Sequence, residues 1–337
     1  MEFSIDETRE LVVDEPKLLC AAVDSGLFPR MKFLHKEIDI PLDKLRSIVI
    51  RNPNLLMYSV EKNLREKIIS LFIMRLRMEP KHIHKLLSSY PEIINYSLHG
   101  LNERIHYFTS ELEFSPTELR SILLKFPRLM THSMHKIKHL IGYLRYELGL
   151  NAVQVKRVVF QAPQIIGLNT DNTTKEKIGF LRDTFDLEDK ELQKVVVGMP
   201  TLLLCSIESN LKPKAEFLLE AFNSDPFMLK DVVMTQPTLL GYSLEKRIKP
   251  RLKRICDIGA HPRRISVGIT MTEANFVTWL QKKQDKMEGN GGVEIIQKRR
   301  ITRGKKPDAI PPQVEDINDL AHTELARRKA RIVHWKR

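Results

Sequence analysis

Seven prolines recur along this chain at nearly constant spacing, and this repetition constrains the fold more than any other feature. Consecutive prolines are separated by 37, 38, 36, 36, 37 and 37 residues. Large aliphatic residues follow two and three positions later, as in Leu55 with Leu56 and Leu202 with Leu203. A period of this length indicates small units that cannot bury their own apolar faces, so successive copies must stack. The prolines are Pro16, Pro53, Pro91, Pro127, Pro163, Pro200 and Pro237.

The segment before each proline has the pattern of an amphipathic helix. Aliphatic residues stand eight, five and four positions before the proline, as Leu45, Ile48 and Val49 do before Pro53. Spacings of three, four and seven define one helical face. The residue before a proline avoids the α region, so the helix should end there. Each repeat is therefore predicted to contain a first helix with a fixed stop.

A second helix is predicted after each aliphatic pair. Five of the repeats have serine six residues after the proline, as at Ser59, and such a residue favours a turn and a helix N-cap. Apolar residues then recur at helical spacing, as in Leu64, Ile68 and Leu71. We find no alternating strand pattern, so the sequence predicts an all-α helical repeat solenoid.

The expected array covers residues 1–281 in about seven 37-residue units, with a half repeat at the N-terminus. A degenerate capping repeat is expected over residues 256–281, because Glu273 stands where the next proline would fall. The remaining residues, 282–337, contain 15 Lys and Arg against 8 Asp and Glu. Residues 282–315 are expected to be a disordered basic linker containing Gly and Pro, and residues 316–337 a basic C-terminal helix.

The charge of the chain favours an anionic polymer as its partner. The formal net charge is +13 in 337 residues, and the pI is near 9.5. No stretch approaches the roughly 18 uncharged apolar residues of a membrane helix, so no membrane partner is expected. The acidic N-terminus resembles neither a secretory signal nor an Arg-rich transit peptide.

Residues typical of enzymes are not arranged for catalysis in this sequence. It has no phosphate-binding loop, dinucleotide fingerprint or nucleophile elbow. We therefore predict a non-enzymatic protein with no cofactor, no metal and no small-molecule substrate. Three histidines cross a turn without a carboxylate or thiol nearby, and three scattered cysteines are expected to be buried free thiols. These residues are His132, His135, His139, Cys20, Cys205 and Cys256.

Basic residues repeat in step with the prolines and form two series. The first lies fourteen residues after the proline, once a one-residue deletion in the third repeat is allowed for. Its members are Arg30, Lys67, Arg104, Lys177, Lys214 and Arg251. The second lies two residues earlier and contains Arg65, Lys138, Lys175, Lys212 and Lys249.

Both series are candidate phosphate contacts. In a stack, one repeat position falls on the same side of every unit, so each series would form a line of positive charge along the solenoid groove. Charged residues at the edge of an amphipathic helix can also serve only to solvate it. The helix dipole disfavours cations in the first turns by about 0.3 to 1 kcal/mol, and their repetition there suggests a further purpose.

Taken together, the repeat resembles the mitochondrial transcription termination factor (mTERF) family of organellar nucleic-acid-binding proteins. The resemblance rests on the Pro-x-Leu-Leu pairs, the following serine and the sequence Ser206-Ile-Glu-Ser-Asn-Leu-Lys-Pro-Lys. It also rests on Lys246-Arg-Ile-Lys-Pro-Arg-Leu and Thr272-Glu-Ala-Asn-Phe. It implies a right-handed-type superhelix whose paired helices are joined by a short third helix after each proline. It also implies a DNA or RNA partner and a location in mitochondria or plastids.

Two functions remain open from the sequence. The first is a monomeric nucleic-acid-binding regulator of organellar gene expression, acting in transcription termination or transcript maturation. The second is a protein-binding scaffold of the HEAT or armadillo type. Aromatic residues such as Phe72, Phe108 and Phe217 are expected in the core, which favours double-stranded DNA or structured RNA over stacking on single strands.

Overall fold

The computed structural model describes residues 3–289, and within them it is entirely helical, without strands. Repeats are numbered here by their prolines, so that Pro16 belongs to repeat 1 and Pro237 to repeat 7. Each first helix has ten residues and stops two residues before its proline, as predicted. The residue between them leaves the α region, as Asn52 does with φ −145° and ψ 77°. The first helices are Ile5–Asp14, Leu42–Arg51, Pro80–Ser89, Pro116–Lys125, Ala152–Gln161, Asp189–Gly198 and Pro226–Thr235.

Each repeat proline opens a short 3₁₀ helix, which is the third helix that the family resemblance implied. These helices are Pro16–Cys20, Pro53–Leu56, Pro91–Asn95, Pro127–Thr131, Pro163–Gly167, Pro200–Leu204 and Pro237–Gly241. The aliphatic pair after the proline is buried in repeats 2 to 7. In repeat 1 the pair lies open, and Leu19 is 73% exposed.

The second helices begin at the predicted caps. Ser59, for example, accepts a hydrogen bond from the Lys62 backbone N–H. In repeats 2 and 5 to 7 the helix starts with a π-helical turn, whereas in repeats 3 and 4 it starts directly as an α-helix. The one-residue deletion therefore removes the wide turn and leaves the cap in place. In order, the segments are Val23–Leu27, Phe28–Lys32 and Phe33–Glu37; Val60–Leu64 and Glu66–Arg75; Leu98–His106 and Tyr107–Glu111; Met134–Gly142 and Tyr143–Glu147; Thr170–Thr174 and Lys175–Phe185; Ile207–Leu211 and Lys212–Ala221; Leu244–Ile248 and Lys249–Asp257.

The chain forms two compact units that meet in sequence at Leu168 and Asn169. Inside the first unit, the first helices of repeats 1 to 4 pack on one another in order, and the 3₁₀ helices of repeats 2 to 5 stack in order. Inside the second unit, the first helices of repeats 6 and 7 pack in the same way, as do their 3₁₀ helices. Most predicted core positions are buried, including Leu45, Ile48 and Val49 in the first unit and Leu211, Ala215 and Leu218 in the second. Phe217, which was expected in the core, is only half-buried.

The loops between repeats contain a recurring left-handed residue that the sequence analysis did not predict. It lies fourteen positions before the next proline, or before Glu273 in the last case. The residues are Asp39, Arg77, Glu113, Gly149, Asp186, Asn223 and Gly259, with φ between 52° and 71°. In three cases the carbonyl accepts a hydrogen bond from a basic residue that lies not on the first helix entered by the loop but on the first helix of the following repeat. The donor and acceptor pairs are Arg120 with Arg77, Lys156 with Glu113 and Lys230 with Asp186.

The array ends in the helix Glu273–Gly289. Phe276 of this helix is fully buried, and the guanidinium groups of Arg251 and Arg254 lie 4.6 and 5.0 Å from its ring centroid. The helix begins within the segment 256–281 that was expected to cap the array and continues eight residues beyond residue 281. The remaining residues of the predicted linker and the predicted helix at 316–337 lie outside the described residues.

Loss of one N-cap should weaken the fold measurably. Ser133 accepts a hydrogen bond from the Lys136 N–H at 3.2 Å, so Ser133→Ala should lower the free energy of unfolding by about 1 kcal/mol. Ser47 is exposed in the middle of a first helix, and Ser47→Ala is the matched control. Urea denaturation followed by circular dichroism measures both, and equal effects would contradict the capping role.

Candidate nucleic-acid interface

The lysines of the first predicted series lie inside the repeat stack. Lys67, Lys177 and Lys214 are 2%, 6% and 4% exposed. Each amine donates a hydrogen bond to the carbonyl three residues after the next repeat proline. The Nζ to O distances are 2.6 Å to Ile94, 2.7 Å to Leu203 and 2.5 Å to Leu240. The three lysines therefore connect one second helix to the 3₁₀ helix of the following repeat.

The arginines of the same series make related bonds over a longer reach. The Nε atoms of Arg30 and Arg104 donate to Tyr58 and His132, five residues after the next proline, both at 2.7 Å. Arg251 is 4% exposed and donates to the carbonyls of Gly268, Ile269 and Met271. In repeat 4 the place is taken by Leu140, which is fully buried. The position of the first series therefore faces the interior of the protein, both in repeats with a basic residue there and in repeat 4 with leucine.

A carbonyl at the end of a helical turn lacks a helical partner and carries partial negative charge, so a buried cation is suited to it. Burial disfavours the charged amine, and it lowers the pKa of Lys67 from its usual 10.5 to about 8. The same cause lowers the pKa of Lys177 and of Lys214. The basic residues of the first series therefore do more than solvate a helix. We assign them the role of joining consecutive repeats.

The second series lies nearer the surface. Lys138 and Lys175 are exposed, and the side chains of Arg65 and Lys249 are 34% and 41% exposed. Arg65 forms ion pairs with Glu37 and Glu61, and Lys249 pairs with Glu245. Lys212 is the exception, because its side chain is 9% exposed and pairs with Glu208 at 3.0 Å. This series therefore offers four cations to the solvent.

Three members of the second series also lie over an aromatic ring of the preceding second helix. Arg65 lies 5.0 Å from the centroid of Phe33, and Lys138 lies 5.9 Å from that of Tyr107. Lys249 lies 5.6 Å from the centroid of Phe217. Such contacts hold the charged end of the side chain beside the ring while leaving it partly in water.

A further group of exposed lysines belongs to neither predicted series. Lys62, Lys136 and Lys246 each stand three residues after a cap serine, and each is exposed. Their backbone N–H groups donate to that serine, which places the lysines in the first turn of the second helix. All three stand nine residues after their repeat proline, a position that the two predicted series, at twelve and fourteen residues, did not include.

The cysteine prediction was wrong for two residues, because Cys20 and Cys256 are exposed, while Cys205 is half-buried. Within the described range, no three His, Cys, Asp or Glu side chains come together as a metal site. The rings of His135 and His139 stack with centroids 5.9 Å apart, whereas His132 is half-buried against Phe126. Between residues 3 and 289, no helix has the length and apolar character needed to cross a bilayer.

Comparison with known families agrees with this architecture. The sequence profile of the mTERF family matches residues 40–110 and 72–277, which together span most of the array. The chain belongs to the mTERF family. The family consists of nucleic-acid-binding proteins of organellar gene expression that are generally not enzymes. A search of curated proteins gave no match.

The burial of Lys67 should appear in the pH dependence of stability. Because its pKa is lowered on folding, the unfolded chain binds more protons between about pH 8 and 10.5. Stability should therefore rise with pH through that window. Relative to Lys67→Met, the native chain should gain up to about 2 kcal/mol between pH 7 and pH 10. Urea denaturation at each pH measures the difference.

Lys62→Met removes an exposed amine near the start of the same second helix and is the matched control. Comparing variants cancels the titration of the tyrosines and other groups common to all three proteins. An equal pH dependence in both variants would show that burial of Lys67 does not set this effect.

Proposed function

We propose that this chain binds double-stranded DNA or structured RNA through exposed Lys and Arg residues of its second helices. The observation that carries the proposal is the repeated occurrence of exposed cations near the start of these helices. In the first unit they are Lys62, Arg65, Lys136 and Lys138, and in the second unit Lys175, Lys246 and Lys249. The biological role is regulation of organellar gene expression in mitochondria or plastids, by transcription termination or transcript maturation.

Exposure makes these residues suitable for phosphate. An exposed ammonium group keeps most of its hydration, so its approach to an anion costs little desolvation free energy. Its contact with a phosphate releases counterions that are condensed on the nucleic acid. The start of a helix also presents partial positive charge, which adds to the attraction for phosphate. Regularly placed phosphate contacts position the protein on a duplex without reading its sequence.

The contacts of each side chain suggest an order of importance within the interface. Lys62, Lys136 and Lys246 extend from the first helical turn, and Lys138 is exposed with its amine 5.9 Å from the Tyr107 ring centroid. Arg65 and Lys249 would have to exchange carboxylate partners for phosphate. Lys212 is buried and paired. We therefore assign the main phosphate contacts to Lys62, Lys136, Lys138 and Lys246. Exposed cations at these places favour nucleic acid over the protein-scaffold alternative.

Removing four charges tests this interface. Lys62, Lys136, Lys138 and Lys246 are changed together to Gln, and binding to a duplex DNA and an RNA hairpin is measured by fluorescence anisotropy across salt concentrations. For duplex DNA, the slope of log K against log salt should fall in magnitude by about 0.9 for each phosphate that the variant no longer neutralises. Affinity should fall on unrelated sequences alike.

A control variant carries the same loss of charge at exposed positions of the first helices, with Lys44, Lys85, Lys190 and Lys194 changed to Gln. It should retain most of the native affinity and slope. If the control loses as much as the test variant, net charge rather than a defined surface governs binding. If the native chain binds neither nucleic acid, the proposed function is wrong.

A further inference from the structure

An open apolar groove lies where the second helix of repeat 1 meets the first helix and the 3₁₀ helix of repeat 2. The groove encloses about 430 Å³, and its apolar lining is formed by Phe3, Val23, Leu27, Phe28, Met31, Leu42 and Leu56. Val23 is 65% exposed and Phe28 is 60% exposed. Exposed apolar side chains that cluster in a concavity are typical of binding surfaces, whereas single ones are not.

The groove occupies positions that are core in the other repeats. Leu27 stands eleven residues after its proline, and the equivalent Leu64, Leu211 and Ile248 are fully buried. Met31 stands fifteen residues after its proline, where Ile68, Ala215 and Leu252 are buried. In repeat 1 these positions line the groove instead, so that within the described residues the groove presents to the surface side chains of a type that other repeats bury.

Phe28 departs from the pattern of the array in its residue type. It stands twelve residues after its proline, at the position of the second cation series, where Arg65, Lys138 and Lys249 lie over a ring of the preceding repeat. With 60% of its surface exposed, Phe28 contributes little to the core. A large apolar side chain here suits an external partner.

The charged groups that line the groove indicate what kind of partner this is. Lys32 and Lys36 line it together with His35, and the lining residues described include no carboxylate. Acidic side chains at the edge of a bound segment would therefore face basic residues on the protein. Complementary charges of this kind set the orientation and specificity of docking.

We propose that this N-terminal groove docks an amphipathic α-helix of a partner protein, with apolar anchors on one face and acidic residues flanking them. A helix fits because the equivalent surface of later repeats lies beside helices, and helix-in-groove binding uses anchors at i, i+3, i+4 and i+7. Within this chain, both the segment 290–337 and the end of the terminal helix, with Lys282, Lys283 and Lys286, carry excess positive charge. Neither matches a basic rim, which disfavours the tail and a second copy as occupants. The proposal does not depend on nucleic-acid binding.

Binding of designed peptides to the full chain tests the proposal. The probe is a fluorescent helical peptide with Leu and Phe anchors at those spacings and Glu on both flanks. A peptide of the same composition in scrambled order and a peptide with Lys in place of Glu are the comparisons. The Glu-flanked helix should bind saturably and roughly tenfold or more tightly than either comparison in fluorescence anisotropy.

Two variants locate the binding surface. Phe28→Lys introduces the residue type that other repeats carry at this position, and it should weaken binding roughly tenfold or more. Phe227 is 67% exposed on the first helix of repeat 7, so Phe227→Lys is the matched control and should bind as the native chain does. Because both rings are exposed, both variants should keep the native circular dichroism spectrum.

A charge reversal tests the basic rim separately. Changing Lys32 and Lys36 to Glu should weaken binding of the Glu-flanked peptide and strengthen binding of the Lys-flanked peptide. Equal affinity of the native chain for the two peptides would show general apolar adhesion and overturn the proposal.

Other outcomes would assign the groove to a different occupant. A dimer that dissociates in Phe28→Lys, observed by sedimentation velocity, would assign it to a second copy. A photo-crosslinker at position 28 that reacts with residues 290–337 of the same chain would assign it to the tail. Absence of saturable binding by the Glu-flanked helix, or an unchanged affinity in Phe28→Lys, would also overturn the proposal.

Discussion

The repeated proline turn leaves carbonyl groups without helical partners, and the stacking of repeats depends on supplying those partners. The proline ends the first helix. The short 3₁₀ helix that follows ends with backbone carbonyl groups that lie in the interior and lack a helical partner. Lys67, Lys177 and Lys214 donate to them from the preceding second helix at 2.5 to 2.7 Å. A hydrogen bond to a charged group contributes about 1.5 to 3 kcal/mol, and an unsatisfied buried carbonyl costs a similar amount. The proline and the distant cation therefore act together to join one repeat to the next.

A second link runs in the opposite direction along the chain. The loop after each second helix passes through a left-handed residue. In three cases its carbonyl accepts a hydrogen bond from the first helix of the repeat after the one that the loop enters. Repeats 5 and 7 are held by polar bonds in both directions, since Lys177 and Arg251 donate forward from the second helices and Lys156 and Lys230 donate back from the first helices. Apolar packing supplies most of the energy, but these directed bonds fix the register of one repeat on the next. In repeat 3 the wide turn at the start of the second helix is absent, yet Arg104 still makes the forward bond.

Local signals in the sequence were sufficient to predict the helices, their caps and their ends, because prolines, cap serines and apolar spacing act within a few residues. The burial of the first cation series could not be predicted in this way. A lysine at the edge of an apolar face can reach either water or a carbonyl, and the choice depends on a partner about 27 residues away. The left-handed loop residues could not be predicted, because glycine is the usual sequence signal for a positive φ and Asp39, Arg77 and Glu113 are not glycine. Cys20 and Cys256 were misplaced because apolar neighbours in sequence do not ensure burial in a short turn or at a helix end.

Periodic charge in a repeat protein therefore has two distinct sources, and helix geometry separates them. Residues two apart on a helix point about 200° away from each other. Lys175 and Lys177 show the result, since the first is exposed and the second is buried against the next repeat. A buried lysine would have to break its carbonyl bond and leave the core in order to meet a phosphate, whereas its neighbour two residues earlier already faces water. One short stretch of sequence can therefore contain a buried cation that stabilises the fold and an exposed cation that is available to a polyanion. Lys212 shows the limit of the rule, because pairing with Glu208 draws its side chain onto the protein.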